Sequence, residues 1–316
     1  MKIYKIIALK LLGVCFLWAS EFDTAVEHYQ KKEYAKAYEL FLKLAEENHA
    51  ASQYNLSLMY QNGLGTEKNI YQSMHWLEKS AALKDPKALN NLAYFYEHGL
   101  GVAKNKKEAM KLYEEAANLD YPIAQFNLAM LYENFELNES YLKKAFDLYE
   151  RASNQGFAAA QNNLARLYYF GMGTPKDLQK AFYWYDKAAN ADDNVAQFNL
   201  ALMYYSGEGV AKDYDKTLYW LEVSAKKGNH FAQTQLGDFY RTGELVTQNY
   251  EEAFFWYLEA AINEYGKAQY YVGLFYHEGY GVEQDKERGL FWMLKSKDNG
   301  YVFANTFLQR QSKQSK

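Results

Sequence analysis

The 316-residue chain is 18% aromatic, with 31 tyrosines against 3 prolines and 19 glycines. So many large rings exclude a disordered or collagen-like polymer, because such side chains bury enough area to drive ordering. A formal net charge of −4 excludes a nucleic-acid binder with a strongly basic face.

The first residues read as an export signal rather than as part of the fold. Lys2, Lys5 and Lys10 precede the apolar run Leu11 to Trp18, and the small residues Ala19 and Ser20 follow it. A positive start, a short apolar centre and a small-residue boundary define a secretory leader. The run is too short to span a ~30 Å bilayer core. Cleavage after Ala19 removes three lysines and takes the formal charge from −4 to −7. The mature chain then has no transmembrane segment. The single cysteine, Cys15, lies inside this segment after Leu12, Gly13 and Val14, which gives a second reading, lipid attachment at Cys15. The mature chain otherwise has no thiol for a disulfide, a nucleophile or a cysteine metal site.

From residue 50 the sequence repeats every 36 residues. Leu56 recurs as Leu92, Leu128, Leu164, Leu200, Leu236, Val272 and Leu308. Four residues before each stands a small side chain, from Ser52 and Ala88 to Ala304. Four residues after the first seven stands a tyrosine, from Tyr60 to Tyr276. A spacing of i, i+4, i+8 marks one face of a helix, here helix A. Five glycine pairs follow, among them Gly63 with Gly65 and Gly171 with Gly173, and a glycine just past a helix accepts the left-handed conformation that ends it. A second helix, B, carries Trp76, Leu112, Leu148, Trp184, Trp220, Trp256 and Trp292, with Ser or Ala one turn on. Pro86 and Pro122 share the register just before a helix A, where a missing N–H costs nothing.

No single hairpin can bury its own apolar faces, so the repeats must stack. The expected fold is all-α, a right-handed α/α superhelical solenoid of helix-turn-helix repeats. The expected segments are a leader at 1–19, a shorter starting hairpin at 22–47 and seven repeats over 50–301. A closing helix at 302–311 and a polar tail at 312–316 complete the chain.

The pattern Ala-x-x-x-Leu-x-x-x-Tyr, Gly-x-Gly, Ala-x-x-Trp, Ala-Ala closely resembles the Sel1-like repeat, a relative of the tetratricopeptide repeat. Ala160, Leu164, Tyr168, Gly171, Gly173, Ala181, Trp184, Ala188 and Ala189 show it in full. Residues 22–47 look more like a tetratricopeptide hairpin. The resemblance implies an adaptor or scaffold, often at a bacterial envelope. One secreted bacterial branch carries a cysteine pair in every repeat and is often labelled beta-lactamase. The repeats here depart from it, because they hold no cysteine.

The remaining motifs are weighed against packing. The glycine turns follow helices, not strands, and lack the ending of a phosphate loop. Ser140 to Lys143 and Ser224 to Lys227 match Ser-x-x-Lys, and Arg241-Thr242-Gly243 faintly echoes a further element, but no Ser-Asp-Asn accompanies them. No two histidines stand three or four apart, so no helical zinc face arises, and no cofactor is implied. The Trp and Tyr ladders suggest carbohydrate stacking, but a register shared by every unit first serves packing. Asn55, Asn91, Asn127, Asn163 and Asn199 form an amide ladder that either bonds neighbouring helices together or holds an extended peptide. The third full repeat replaces its glycines with Phe135 and Leu137. That loop also contains Glu136-x-Asn138-x-Ser140, which resembles an extended bacterial glycosylation sequon with Asn138 as acceptor.

Uniform registers hold a stack together, whereas variable ones are free to specialise. Two residues before the anchor stand Tyr54, Asn90, Phe126, Asn162, Phe198, Thr234 and Tyr270. Two after it stand Leu58, Tyr94, Met130, Arg166, Leu202, Asp238 and Leu274. Each pair is four apart and shares one helix side. By resemblance, helix A lines a concave groove, and a ridge of rings, aliphatics, an Arg and an Asp suits a protein or peptide partner. The leading expectation is an exported monomeric scaffold, periplasmic or secreted, whose partner is a protein or peptide such as an envelope enzyme. The alternative is a protein that binds or hydrolyses beta-lactams or peptidoglycan. No catalytic residue is assigned.

Overall fold

The computed structural model describes residues 20–135 and 138–314. The leader, Cys15, Glu136, Leu137 and the last two residues of the tail lie outside the described residues. Among the described residues every regular element is an α-helix, and no helix is long and apolar enough to cross a membrane. The chain divides into two compact units, Met1–Gln155 and Gly156–Lys316.

The first unit contains α1 (20–30), α2 (Tyr34–Glu46), α3 (Ala50–Asn62), α4 (Ile70–Ala82), α5 (Pro86–His98), α6 (Lys106–Asn118), α7 (Pro122–Phe135) and α8 (Glu139–Asn154). The second contains α9 (Ala158–Phe170), α10 (Leu178–Asn190), α11 (Asn194–Ser206), α12 (Tyr214–Lys226), α13 (His230–Thr242), α14 (Tyr250–Ile262), α15 (Gly266–Glu278), α16 (Lys286–Asp298) and α17 (Val302–Gln314). Odd-numbered helices are helix A and even-numbered ones helix B. Within each unit each helix packs on the one before and the one after it.

The small residues of the repeat sit where helices cross. Ala88, Ala124, Ala160, Ala196, Ala232 and Ala268 are all fully buried, as are Ala116, Ala152, Ala188 and Ala260 one helix on. A methyl-sized side chain at a crossing lets two helix axes approach closely, and larger neighbours such as Leu56, Leu164 and Leu236 fill the remaining space.

The turns explain the paired glycines. The first closes helix A in the left-handed conformation, as at Gly63 and Gly207, and its N–H bonds the carbonyl four residues back. The second has another duty. A Cβ at Gly209 would lie 2.2 Å from Leu178 O, and one at Gly65 would lie 2.3 Å from Tyr34 O. The second glycine lets the turn rest on the first residue of the preceding helix B, 31 residues earlier. Helix B is then capped by Asn69, Asn105, Asp177, Asp213, Asn249 or Asp285, each accepting from backbone N–H groups of its first turn.

The third full repeat, lacking both glycines, builds a shorter turn. Helix α7 runs on to Phe135, and α8 starts at Glu139, three residues ahead of the usual register. Asn138 caps α8 by accepting from Tyr141 N at 2.9 Å.

These two kinds of glycine respond differently to substitution. Gly228 also has positive φ, but a Cβ there meets nothing within 4 Å. Gly228→Ala is expected to cost about 1 kcal/mol, the backbone penalty alone. Gly209→Ala is expected to cost about 3 kcal/mol or more, because the clash with Leu178 adds to it. Urea unfolding of both variants checks the difference.

Candidate partner-binding surface

Asn91, Asn127 and Asn199 of the amide ladder bond adjacent A helices together, whereas Asn55 donates to Ala51 O of its own helix. Asn127 Nδ2 donates to Asn90 Oδ1 at 2.9 Å, Asn199 Nδ2 to Asn162 Oδ1 at 3.1 Å and Asn91 Nδ2 to the Tyr54 hydroxyl at 3.3 Å. Asn90 and Asn162 also donate to the asparagine that follows each of them. Both are buried, at 6% and 9% exposure, so two residues expected on a free ridge hold neighbouring helices together.

A second amide ladder escaped the sequence reading. Gln53, Gln125, Gln197, Gln233 and Gln269 are buried, and each Nε2 donates to the carbonyl eight residues back, at 3.0 to 3.3 Å. That carbonyl lies in the last turn of the preceding helix B, where acceptors lack an intrahelical donor. The signal was the dipeptide Ala-Gln recurring at 36 residues.

A third recurring contact joins residues 16 apart. Tyr113 donates its hydroxyl to Glu97 at 3.0 Å and Tyr149 to Glu133 at 2.7 Å, while the Tyr257 hydroxyl accepts from Arg241 Nε at 3.0 Å. Burial, reinforced by the Glu97 charge, pushes the Tyr113 phenol well above the usual tyrosine range, so it stays a donor.

In the first unit the other ridge residues differ in exposure. Tyr94 and Met130 are open to solvent, Tyr94 packing on His98 at 4.2 Å. Tyr54, Leu58 and Phe126 are half-buried, and Phe126 lies against Tyr149 at 5.8 Å.

The second unit gathers ridge residues around a concavity. Arg166 and Leu202 line a cavity of about 400 Å³ with Tyr169, Tyr185, Asn199 and Tyr205. Helices α9 and α11 supply its A-side wall, and α10 supplies Tyr185, whose hydroxyl is raised above the usual range by burial against the opposing pull of Arg166. Tyr169 donates to Glu208 at 2.5 Å and Tyr205 to Glu244, which ties helix A of one repeat to the turn of the next.

Asp238 stands in a polar cluster. Its carboxylate accepts from the Tyr257 hydroxyl and Lys267 Nζ, both at 2.7 Å, and from Arg241 at 3.4 Å. Arg241 lies over the Tyr271 ring at 5.0 Å, and Tyr257 stacks on Tyr271 at 4.6 Å. Tyr270 packs on Tyr271 and Tyr301, and Phe198 stacks on Phe231 at 5.9 Å. The cluster is a buttress with two cations around one carboxylate.

The Ser-x-x-Lys serines serve the stack or face solvent. Ser224 is fully buried and donates to Asn194 O at 2.6 Å, as Ser80 does to Ala50 O and Ser296 to Gly266 O. Ser140 is exposed in the first turn of α8.

Paired helices packed in series, with side chains on one helix of each pair left to specialise, define an α-helical repeat solenoid. The Sel1 repeat family model matches residues 22–49, 50–85, 86–121, 122–157, 158–193, 194–229, 230–265 and 266–301. The chain belongs to the Sel1 repeat family, and the starting hairpin counts as the first of eight repeats. The fold is similar to that of c5321, described as a protective antigen of uropathogenic Escherichia coli with an SLR fold. That match has 29% identity and a TM-score of 0.75, and covers 94% of this chain and 64% of the antigen. It is also similar to a Sel1 repeat protein from Oxalobacter formigenes, at 25% identity and TM-score 0.73, over 94% of this chain and 90% of that one. Yeast Tom70 shares the fold at 13% identity and TM-score 0.52, over 93% of this chain and 64% of its own. No curated protein matches the chain.

Removing a rung of the asparagine ladder tests its structural role. Asn127→Ala deprives the buried Asn90 Oδ1 of its donor and is expected to cost about 1–3 kcal/mol in urea unfolding. Asn90→Ala combined with it is expected to cost less than the two single changes together.

His49 supplies a pH-dependent contact. It caps α3, its Nδ1 accepting from Ser52 N at 3.3 Å, and burial pushes its pKa below the ordinary histidine value. A lowered folded pKa means that the cap contributes fully above the unfolded value, about 6.5, and is lost as pH falls through the folded one. Thermal melts of wild type and His49→Asn are expected to converge at high pH and diverge as pH falls below about 6, with the wild type losing more.

Proposed function

We propose that this chain is an exported scaffold that holds a protein or peptide against the A-helix face of its second unit. The observation that carries this reading is the cavity walled by Arg166, Tyr185 and Leu202. Its volume of about 400 Å³ lies within the range of ordinary ligand pockets. It admits one large side chain of a partner, with Arg166 and Asn199 at its wall to fix orientation. Family membership supports protein partners, since stacked repeats present extended surfaces suited to them. The export part rests on the leader pattern of residues 1–19, and N-terminal sequencing of the protein from an envelope fraction tests it. A hydrolase reading finds no support in Ser224, whose hydroxyl is buried and bonded to backbone.

The test is selection of a displayed random-peptide library on the full chain, with counter-selection on Leu202→Arg. A single peptide family is expected, bound about tenfold or more weakly by the variant. If the variant, with an unchanged circular dichroism spectrum, bound the selected peptides as well as wild type, the cavity would not be the site.

A further inference from the structure

One buried hydroxyl in the second unit has lost the partner that its counterparts keep. A tyrosine stands at the same register of helix B in four repeats, as Tyr113, Tyr149, Tyr185 and Tyr257. Three of these donate to a carboxylate on the preceding helix A: Tyr113 to Glu97 at 3.0 Å, Tyr149 to Glu133 at 2.7 Å and Tyr257 to Asp238 at 2.7 Å. Tyr185 is only 4% exposed, yet among the described residues no group bonds its hydroxyl. Glu97 and Glu133 stand 16 residues before their tyrosines. The residue at that place before Tyr185 is Tyr169, whose phenol turns to Glu208 instead. Tyr205 turns to Glu244 in the same way, but there the B-helix residue is Leu221, which has no hydroxyl to strand. A buried donor without an acceptor is costly.

The Tyr185 oxygen is not sealed inside the fold but opens on the cavity of the second unit. An acceptor brought by the partner therefore satisfies it. Two features select a carboxylate as that acceptor. All three counterparts of Tyr185 pair with one. Arg166 lines the same cavity, and its charge acts on the Tyr185 phenol. A positive field favours an anionic acceptor over a neutral one, and a hydrogen bond to an ionised group is the stronger kind. Glu208, the carboxylate of the cavity wall, is already engaged by Tyr169 at 2.5 Å and by Ser206 Oγ at 3.2 Å. Leu202, Met203 and Tyr205 on the walls receive the methylenes of the arriving side chain.

We propose that the Tyr185 hydroxyl is the specificity-determining donor of the cavity, and that the partner anchors there through a glutamate or aspartate side chain. The proposal rests on the cavity being the partner site and names what enters it. One test needs no partner. Tyr169→Glu gives this repeat the residue type that the first unit holds at Glu97 and Glu133. Its melting temperature is expected to exceed that of the double variant Tyr169→Glu, Tyr185→Phe by a few degrees, whereas Tyr185→Phe alone melts no lower than wild type. A second test selects a displayed random-peptide library on the full chain. Bound peptides are expected to share one Asp or Glu. They are expected to lose on the order of tenfold in affinity when that residue becomes Asn or Gln, and equally when the chain carries Tyr185→Phe. Equal melting of the two Tyr169→Glu variants, a lowered melting temperature for Tyr185→Phe alone, or bound peptides that share no acid would each overturn the proposal. Peptides that need Leu202 but not the Tyr185 hydroxyl would leave the cavity as the partner site and overturn its acidic specificity alone. Peptides indifferent to both residues, or a library without binders, would overturn the cavity itself and this proposal with it.

Discussion

A side chain no larger than a methyl or hydroxymethyl group at each helix crossing is the constraint on which the stack depends. Ala88, Ala160 and Ala232 in A helices and Ala116, Ala188 and Ala260 in B helices are fully buried, and Ser80, Ser224 and Ser296 take the same place. The close approach they permit brings backbone polar groups near one another. Serine uses that proximity to reach the first carbonyl of the preceding helix A, 30 residues earlier. The buried glutamines reach a last-turn carbonyl of the preceding helix B in the same way. Burial of apolar area draws the hairpins together, and these amides and hydroxyls fix their register, because a buried acceptor without a donor is costly.

A stack organised in this way separates stability from recognition. Positions that every repeat needs are small, buried or bonded to a neighbour. Positions that differ between repeats are where function can reside. The A-helix ridge shows both outcomes. Asn90 and Asn162 have been drawn into the ladder, whereas Arg166 and Leu202 open onto a cavity. Asp238 takes an intermediate course, its carboxylate held by Tyr257, Lys267 and Arg241. The B helices show the same division, with Trp or Leu at a shared register and the residue before it charged in some repeats, as at Lys111 and Asp147, and aromatic in others, as at Tyr183 and Phe255.

Much of the fold was legible because a repeat prints the same physical demand many times. Seven tyrosines at one register announce a helix face, and a glycine after six of those faces announces its end. The asparagine ladder was visible as a column, but its two readings could not be separated. A column of amides looks alike whether it bonds to a neighbour or to a ligand, and only the 2.9 Å approach of Asn127 to Asn90 decides between them. The glutamine ladder and the contacts between residues 16 apart went unread for a related reason. Gln53 and Gln125 stand beside a small residue and look like an ordinary exposed helix position.

Sequence alone determined the helical repeat, its 36-residue period, the positions of its turns and its membership of the Sel1 repeat family, because periodicity and turn chemistry are local properties. Tertiary structure decided which variable residues reach solvent. Exposure of Tyr94, burial of Asn162 and the meeting of Arg166 with Leu202 depend on how far one hairpin rotates against the next. That angle is set by the summed packing of side chains far apart in the chain, which no local pattern records.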